Sequence, residues 1–183
     1  MILSLTRRQM LDRWMLMKGF LPARTDASVT RADGIDLEAL MESEMRAWYL
    51  RMLDTAPPHL TGITDIASRV TLTLDTQGPA ARVELPADCR RVVRFRLDGW
   101  HNDAILAAPD SPEAQREDNR LTRGGMWHPV AVMWPGGILT TRALPPGPKR
   151  IAVLTAITDP GPDLYRFDES LFPKPEYPNL TLT

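Results

Sequence analysis

Sixteen of the seventeen prolines lie at or after Pro57, while seven of the nine methionines lie in residues 1–56. Proline fixes φ and removes a backbone donor, so a chain divided in this way cannot be helical throughout. A helical start followed by a turn-rich β remainder is the arrangement that fits.

The first helix is predicted to begin at Thr6, whose Thr-Arg-Arg-Gln run to Gln9 matches a capping box. Met10, Leu11, Trp14, Met15 and Met17 supply its apolar contacts, and Gly19 is placed to stop it. Residues 20–35, with Pro22 and Gly34, read as a loop. A second helix is predicted from an Asp36 cap to about Asp54, ended by Pro57-Pro58. Leu37, Leu40, Met41, Met45, Trp48, Tyr49, Met52 and Leu53 follow its i, i+3, i+4 rule. Methionine fills irregular cores, which accounts for most of this stripe, and a neighbouring subunit could cover what one short helix and a sheet edge leave open.

From Val70 the period changes to two. Val70–Leu74 and Ala81–Leu85 read as strands joined by a Gln77-Gly78-Pro79 turn. Arg90–Leu97 is a further strand, with Val93, Phe95 and Leu97 on one face and Arg90, Val92, Arg94 and Arg96 on the other. Asp98-Gly99 is a two-residue hairpin signal, so Trp100–Ala107 is expected to return antiparallel. Ser111-Pro112-Glu113 opens a short helix near 111–118. Strands follow near Pro129–Trp134, Ile138–Leu144 and Lys149–Thr158, separated by Pro/Gly turns.

Pro160, Pro162, Pro173, Pro175 and Pro178 argue against regular structure over most of residues 159–183. Yet Tyr165, Phe167, Leu171, Phe172, Tyr177 and Leu180 are interleaved with them, and a solvent tail is usually poor in aromatics. The fold expected is therefore α+β. A helical N-terminal region (1–56) leads into a small antiparallel β-sandwich or barrel (57–158), and an extended proline-rich arm (159–183) follows. Tyr165, Phe167, Leu171, Phe172 and Tyr177 are the candidate anchors of that arm on a neighbouring subunit.

Net charge is −1, too balanced for wholesale nucleic-acid binding. Residues 57–158 carry 12 basic and 10 acidic groups and residues 159–183 carry 2 and 5, so the arm is acidic and the β-region slightly basic. No apolar run approaches the ~20 residues of a membrane helix, and MILSLTRRQM does not have the order of a signal peptide. One cysteine, Cys89, permits no internal disulfide and gives no sign of an oxidising compartment.

A search for chemistry finds no constellation. His59, His101 and His128 lie outside any metal-ligand spacing. Arg90 and Arg91 could lower the Cys89 thiol pKa, but no nearby histidine completes a nucleophile pair, and a small half-buried strand residue is the simpler reading. Asp88, Asp98 and Asp103 sit at strand ends, where turn roles explain them. The glycine pairs at 124–125 and 136–137 lack the strand–helix context of a phosphate loop. No catalytic residue, metal or cofactor is assigned. The one basic concentration is Arg90, Arg91, Arg94 and Arg96. It reads as a solvated strand face, as a dock for an acidic protein segment, or as a contact to a nucleic-acid backbone.

The run Leu85-Pro86-Ala87-Asp88-Cys89-Arg90-Arg91-Val92-Val93-Arg94-Phe95, followed by Gly99-Trp100, resembles a segment in small neck proteins of tailed bacteriophages. Asp110–Glu113, Asn119–Gly124 and Pro129–Ala131 are similar to that group too. The order of helices, β-domain and extended arm is similar to head–tail adaptor (connector, collar) proteins of short-tailed phages, over about residues 36–158. The resemblance implies a virion protein assembled in the bacterial cytoplasm, forming a homo-oligomeric ring of about twelve copies. It also implies a portal and a tail or nozzle protein as partners, duplex DNA passing without sequence-specific contact, no membrane and no catalytic residues. Arg90, Arg94 and Arg96 would then face a subunit or partner. A different class remains open: a stand-alone β-sandwich that binds carbohydrate or peptide on Trp100, Trp127 and Trp134. A hydrolase ranks behind both.

Overall fold

The computed structural model describes residues 1–20, 36–75 and 80–174. Its elements are β1 (Ile2–Thr6), α1 (Arg7–Met17), α2 (Leu37–Thr55), α3 (Pro58–Thr61), β2 (Ile63–Asp65), β3 (Leu72–Leu74) and β4 (Ala81–Glu84). There follow β5 (Cys89–Leu97), β6 (Ile105–Ala107), α4 (Pro112–Asp118), β7 (Val130–Trp134), β8 (Ile138–Thr141), β9 (Ile151–Thr158) and β10 (Leu164–Asp168). The chain is mixed α+β. It divides into two compact units, residues 1–62 with 159 onward, and residues 63–158. The loop expected at 20–35 (from residue 21), the 77–79 turn (with residue 76) and the end of the arm, including Tyr177, lie outside the described residues.

In the first unit, Thr6 caps α1 with the reciprocal bonds its sequence signals: Gln9 N donates to Thr6 Oγ1, and Thr6 N donates to Gln9 Oε1. Gly19, at φ +83, takes the left-handed position that ends the helix. Asp36 caps α2 by accepting from Glu38 N and Ala39 N. Pro58 stops α2 and opens α3 at its first position. The buried face of α2 is Leu37, Met41, Met45, Tyr49, Met52 and Leu53, while Leu40 stays exposed.

This unit corrects the expectation of an extended arm without regular structure. Residues 164–168 form β10, paired antiparallel with β1 over five rungs from Ile2↔Asp168 to Thr6↔Leu164. The prolines do not prevent it, because Pro160 and Pro162 precede the strand and Pro173 follows it. Within Leu-Tyr-Arg-Phe-Asp the alternation is intact, so Tyr165 and Phe167 both point into the core and are fully buried. Residues 159–172 therefore belong with the N-terminal helices.

The second unit holds two sheets, β2-β9-β5 and β3-β4-β8-β7-β6. Phe95, Val92, Leu97, Leu154 and Ala156 from the first meet Val83, Ala131 and Leu139 from the second in one core. The inward face of β5 differs from strict alternation. Register shifts on its ladder with β9, one of them between Val92 and Arg94, turn Val92 inward and leave Val93 half-exposed.

The hairpin expected after Asp98-Gly99 does not form. Gly99, at φ +87, makes the turn, and Trp100 N bonds back to Leu97 O at 3.1 Å. Trp100 then swings into the core, edge-on to Phe95 with centroids 5.4 Å apart, and its Nε1 donates to Ala143 O at 2.6 Å. One further bond joins the returning segment to β5, from Ala104 N to Phe95 O. The segment then leaves for the other sheet as β6, parallel to β7. Burial of the indole with a satisfied N–H outweighs the local turn preference.

Candidate functional site

The C-terminal segment is held by a polar clasp as well as by its aromatics. Tyr49 Oη donates to Arg166 O at 3.3 Å and accepts from Arg166 N at 3.0 Å, so one hydroxyl satisfies the backbone of β10 on the edge facing away from β1. Arg46 pairs with Asp159, donates to Gly161 O at 3.0 Å, and lies over the rings of Tyr49 and Tyr165 at 5.7 and 5.8 Å. Tyr165 packs edge-on against Tyr49 at 4.8 Å. Phe167 meets Trp48, Tyr49 and Phe172, and Phe172 reaches Trp14. Of the expected anchors, Tyr165 and Phe167 thus fill the core of their own chain, while Leu171 and Phe172 are half-buried at its margin.

Burial pushes the Tyr49 phenol up to about 12 and raises that of Tyr165 as well. A group raised in the fold stabilises it below its unfolded pKa, near 10, and that contribution is lost as pH climbs through the folded value. Tyr49→Phe removes both bonds to Arg166 and leaves a part-buried N–H and C=O without the hydroxyl. We expect a loss of about 1–3 kcal/mol by urea denaturation. In an alkaline absorbance titration the variant should also lose one of the late-ionising phenols.

The basic strand lies at one edge of its sheet, with Arg90 and Arg94 exposed and Arg91 and Arg96 half-exposed. Arg94 Nε bonds Asp103 Oδ2 at 2.7 Å, and Arg96 Nε approaches Asp103 Oδ1 at 3.8 Å, so two of the arginines converge on one carboxylate. Asp88 receives both Arg69 guanidinium nitrogens, at 3.0 and 2.6 Å, and that pairing lowers its pKa. The ion pairs, rather than turn roles alone, explain Asp88 and Asp103. Burial first, and Asp88 second, push the Cys89 thiol up, so the neighbouring arginines do not activate it.

A shaped loop follows α4. Leu121 N bonds Asn119 Oδ1, Thr122 Oγ1 donates to Arg116 O at 3.1 Å, and Arg123 Nε donates to Glu117 O at 2.9 Å. Gly124 is required here, since a Cβ would fall 2.2 Å from His128 O. Trp127 stacks face-on with His101 at 3.8 Å while Asn102 Nδ2 holds its carbonyl at 2.7 Å. The loop thereby displays Leu121, 93% exposed, and Trp127, 61% exposed. Trp100, in contrast, is buried, so Trp100, Trp127 and Trp134 do not share a platform.

Glu117 is the functional-looking group that sequence reasoning missed. It is 2% exposed, with Oε1 accepting from Arg142 N at 3.0 Å, Arg123 Nε 3.9 Å away and Oε2 without a hydrogen-bond partner. Its place three residues after the buried Ala114, on the same helical face, was the available signal. Burial raises its pKa. The sign follows: the fold favours the protonated form, so this contribution is present below the unfolded pKa and fades as pH rises through the folded one. Glu117→Gln keeps an acceptor for Arg142 N and removes the buried charge. Its melting temperature should equal or exceed that of the native chain at neutral pH, by the equivalent of roughly 1 kcal/mol. The gap should close on acidification, and a variant less stable at neutral pH would show that the carboxylate is needed there.

Among the described residues, no three His, Cys, Asp or Glu side chains gather to hold a metal ion, and no helix is long and apolar enough to cross a membrane. No protein-family model matches the chain, and no curated protein is significantly similar to it.

Proposed function

We propose that this chain is a structural subunit of a tailed-bacteriophage neck, a head–tail adaptor whose ring joins the portal to the tail and continues the DNA channel. The observation that carries the reading is the adaptor-like run from Leu85 to Phe95, which falls on the turn into β5 and on β5 itself, an edge strand with Arg90 and Arg94 exposed. Two sheets sharing one core support the small β-sandwich of this reading, and the ordered loop displaying Leu121 and Trp127 is suited to a flat protein partner. Portal and tail proteins are the partners in this reading, the virion is the location, and DNA passes without base-specific contact. The carbohydrate- or peptide-binding alternative is weakened because Trp100 is unavailable, leaving Trp127 and Trp134 as exposed indoles.

Mass photometry of the purified chain, followed by electron microscopy, tests the proposal. Closed rings of about a dozen copies are expected, and a strictly monomeric chain that ignores portal rings would end it. Charge reversal gives a finer test. Arg94→Glu with Arg96→Glu sets three carboxylates together around Asp103 on an exposed surface, so folding stability should change by only about 1 kcal/mol. Assembly should fall at least tenfold, and unaltered assembly would remove β5 from the interface.

A further inference from the structure

The first unit is discontinuous in sequence, and the bonds that seat its last piece all run between residues 159–172 and residues 1–62. They include the five rungs of β1 and β10, the Tyr49 bridge, the Arg46 clasp, the ring contacts of Phe172 and an Arg13–Glu169 pair at 3.0 Å. None depends on both pieces belonging to one molecule.

We propose that in the assembled protein residues 159–172 are exchanged between copies, so that β10 of one chain completes the N-terminal unit of the next. This rests on the ring-subunit reading above. Exchange reproduces the same contacts in trans, so the balance between closed and exchanged forms is set by the connection and by concentration. The connection is short and stiff. Five residues, Asp159 to Asp163, separate β9 from β10; Pro160 and Pro162 fix φ, and Gly161 sits at φ +98. Short, restrained hinges favour exchange because few of their conformations turn back onto the parent chain. Arg46 grips both Asp159 and Gly161, so this stiff connection travels with β10, and the crossing between copies falls at the 158/159 boundary between the two units. Each copy gives one segment and receives one. Such a contact is head-to-tail and closes by rotation into a ring.

The register supplies the test. Arg166 N and O both face Tyr49, so Ser4↔Arg166 is a non-hydrogen-bonded pair on the ladder. Such pairs bring Cα atoms to about 4.5 Å, within disulfide reach. Both side chains are exposed, so Ser4→Cys with Arg166→Cys, in a Cys89→Ser background, leaves the core alone. Particles of this variant are isolated, oxidised, thiol-blocked and dissolved in detergent without reductant. A ladder holding most of the chains as covalent dimers and larger species is expected. Cross-linked monomers alone would overturn the exchange and leave the ring intact. Free thiols at both positions would overturn it too, since β1 and β10 would then be apart in the particle. A variant and native chain that never exceed a monomer before oxidation would sink the ring reading and the exchange together.

Discussion

A chain ended after Thr158 is expected to lose the fold of its N-terminal helices, while one ended after Lys174 keeps it. The shorter cut removes β10, both fully buried aromatics and the partners of Tyr49 and Arg46. Each aromatic contributes about 1.5–3 kcal/mol by burial alone. The loss of a whole strand exceeds what a unit of this size holds in reserve, since an entire domain is stable by only about 5–15 kcal/mol. The buried cluster between the two sheets of residues 63–158 draws on no residue from 159 onward, so it should survive. Far-UV circular dichroism should show helical signal lost in the shorter chain, and hydrogen exchange should show protection kept on β5 and β9. Helices that remain protected without residues 159–174 would disprove the placement of β10. This reverses what a free arm would do, because removing a free arm would spare folding and weaken only assembly.

The second large effect lies in the other unit. Trp100→Ala opens a cavity beside Phe95 and strands Ala143 O, and we expect a loss of about 3–5 kcal/mol. Trp100→Phe separates the two causes: it fills most of the volume but cannot donate, so about 1–3 kcal/mol should remain. Urea unfolding followed by near-ultraviolet circular dichroism reads both. If Trp100→Ala cost under about 1 kcal/mol, the indole would belong on the surface and the hairpin expected from Asp98-Gly99 would need restoring.

Legibility in the sequence followed the range of the interactions. Caps are local, so Thr6 and Asp36 announced α1 and α2 to within a residue, and Ser111 announced α4. Strands flanked by Pro/Gly turns, such as β7, β8 and β9, stood out as well. What failed depended on partners distant in sequence. β1 is five residues ending on the Thr6 cap and has meaning only beside β10, more than 150 residues on. β10 carries a clear period-two pattern in Tyr165 and Phe167, which the surrounding prolines obscured. The fate of Trp100 was decided by Ala143 and Phe95, not by its turn. At the candidate interfaces, Arg90, Arg94 and Arg96 were visible as a run, but the convergence of Arg94 and Arg96 on Asp103 was not. The burial of Glu117 follows only once α4 is seated on β6 and β7.

The split of the first unit across the chain also sets a schedule on the ribosome. The helices leave the exit tunnel first, and β10 follows only after the whole of residues 63–158 has been made. At about 5–20 residues per second, that delay of roughly 100 residues lasts on the order of 5–20 s. Throughout it, Tyr49 has no strand to bridge and Trp48 has no Phe167 to cover it. On a polysome, where nascent copies sit close together, the first strand to arrive need not come from the same message position. The order of synthesis thus keeps an acceptor open in every young chain while its neighbours are finishing theirs.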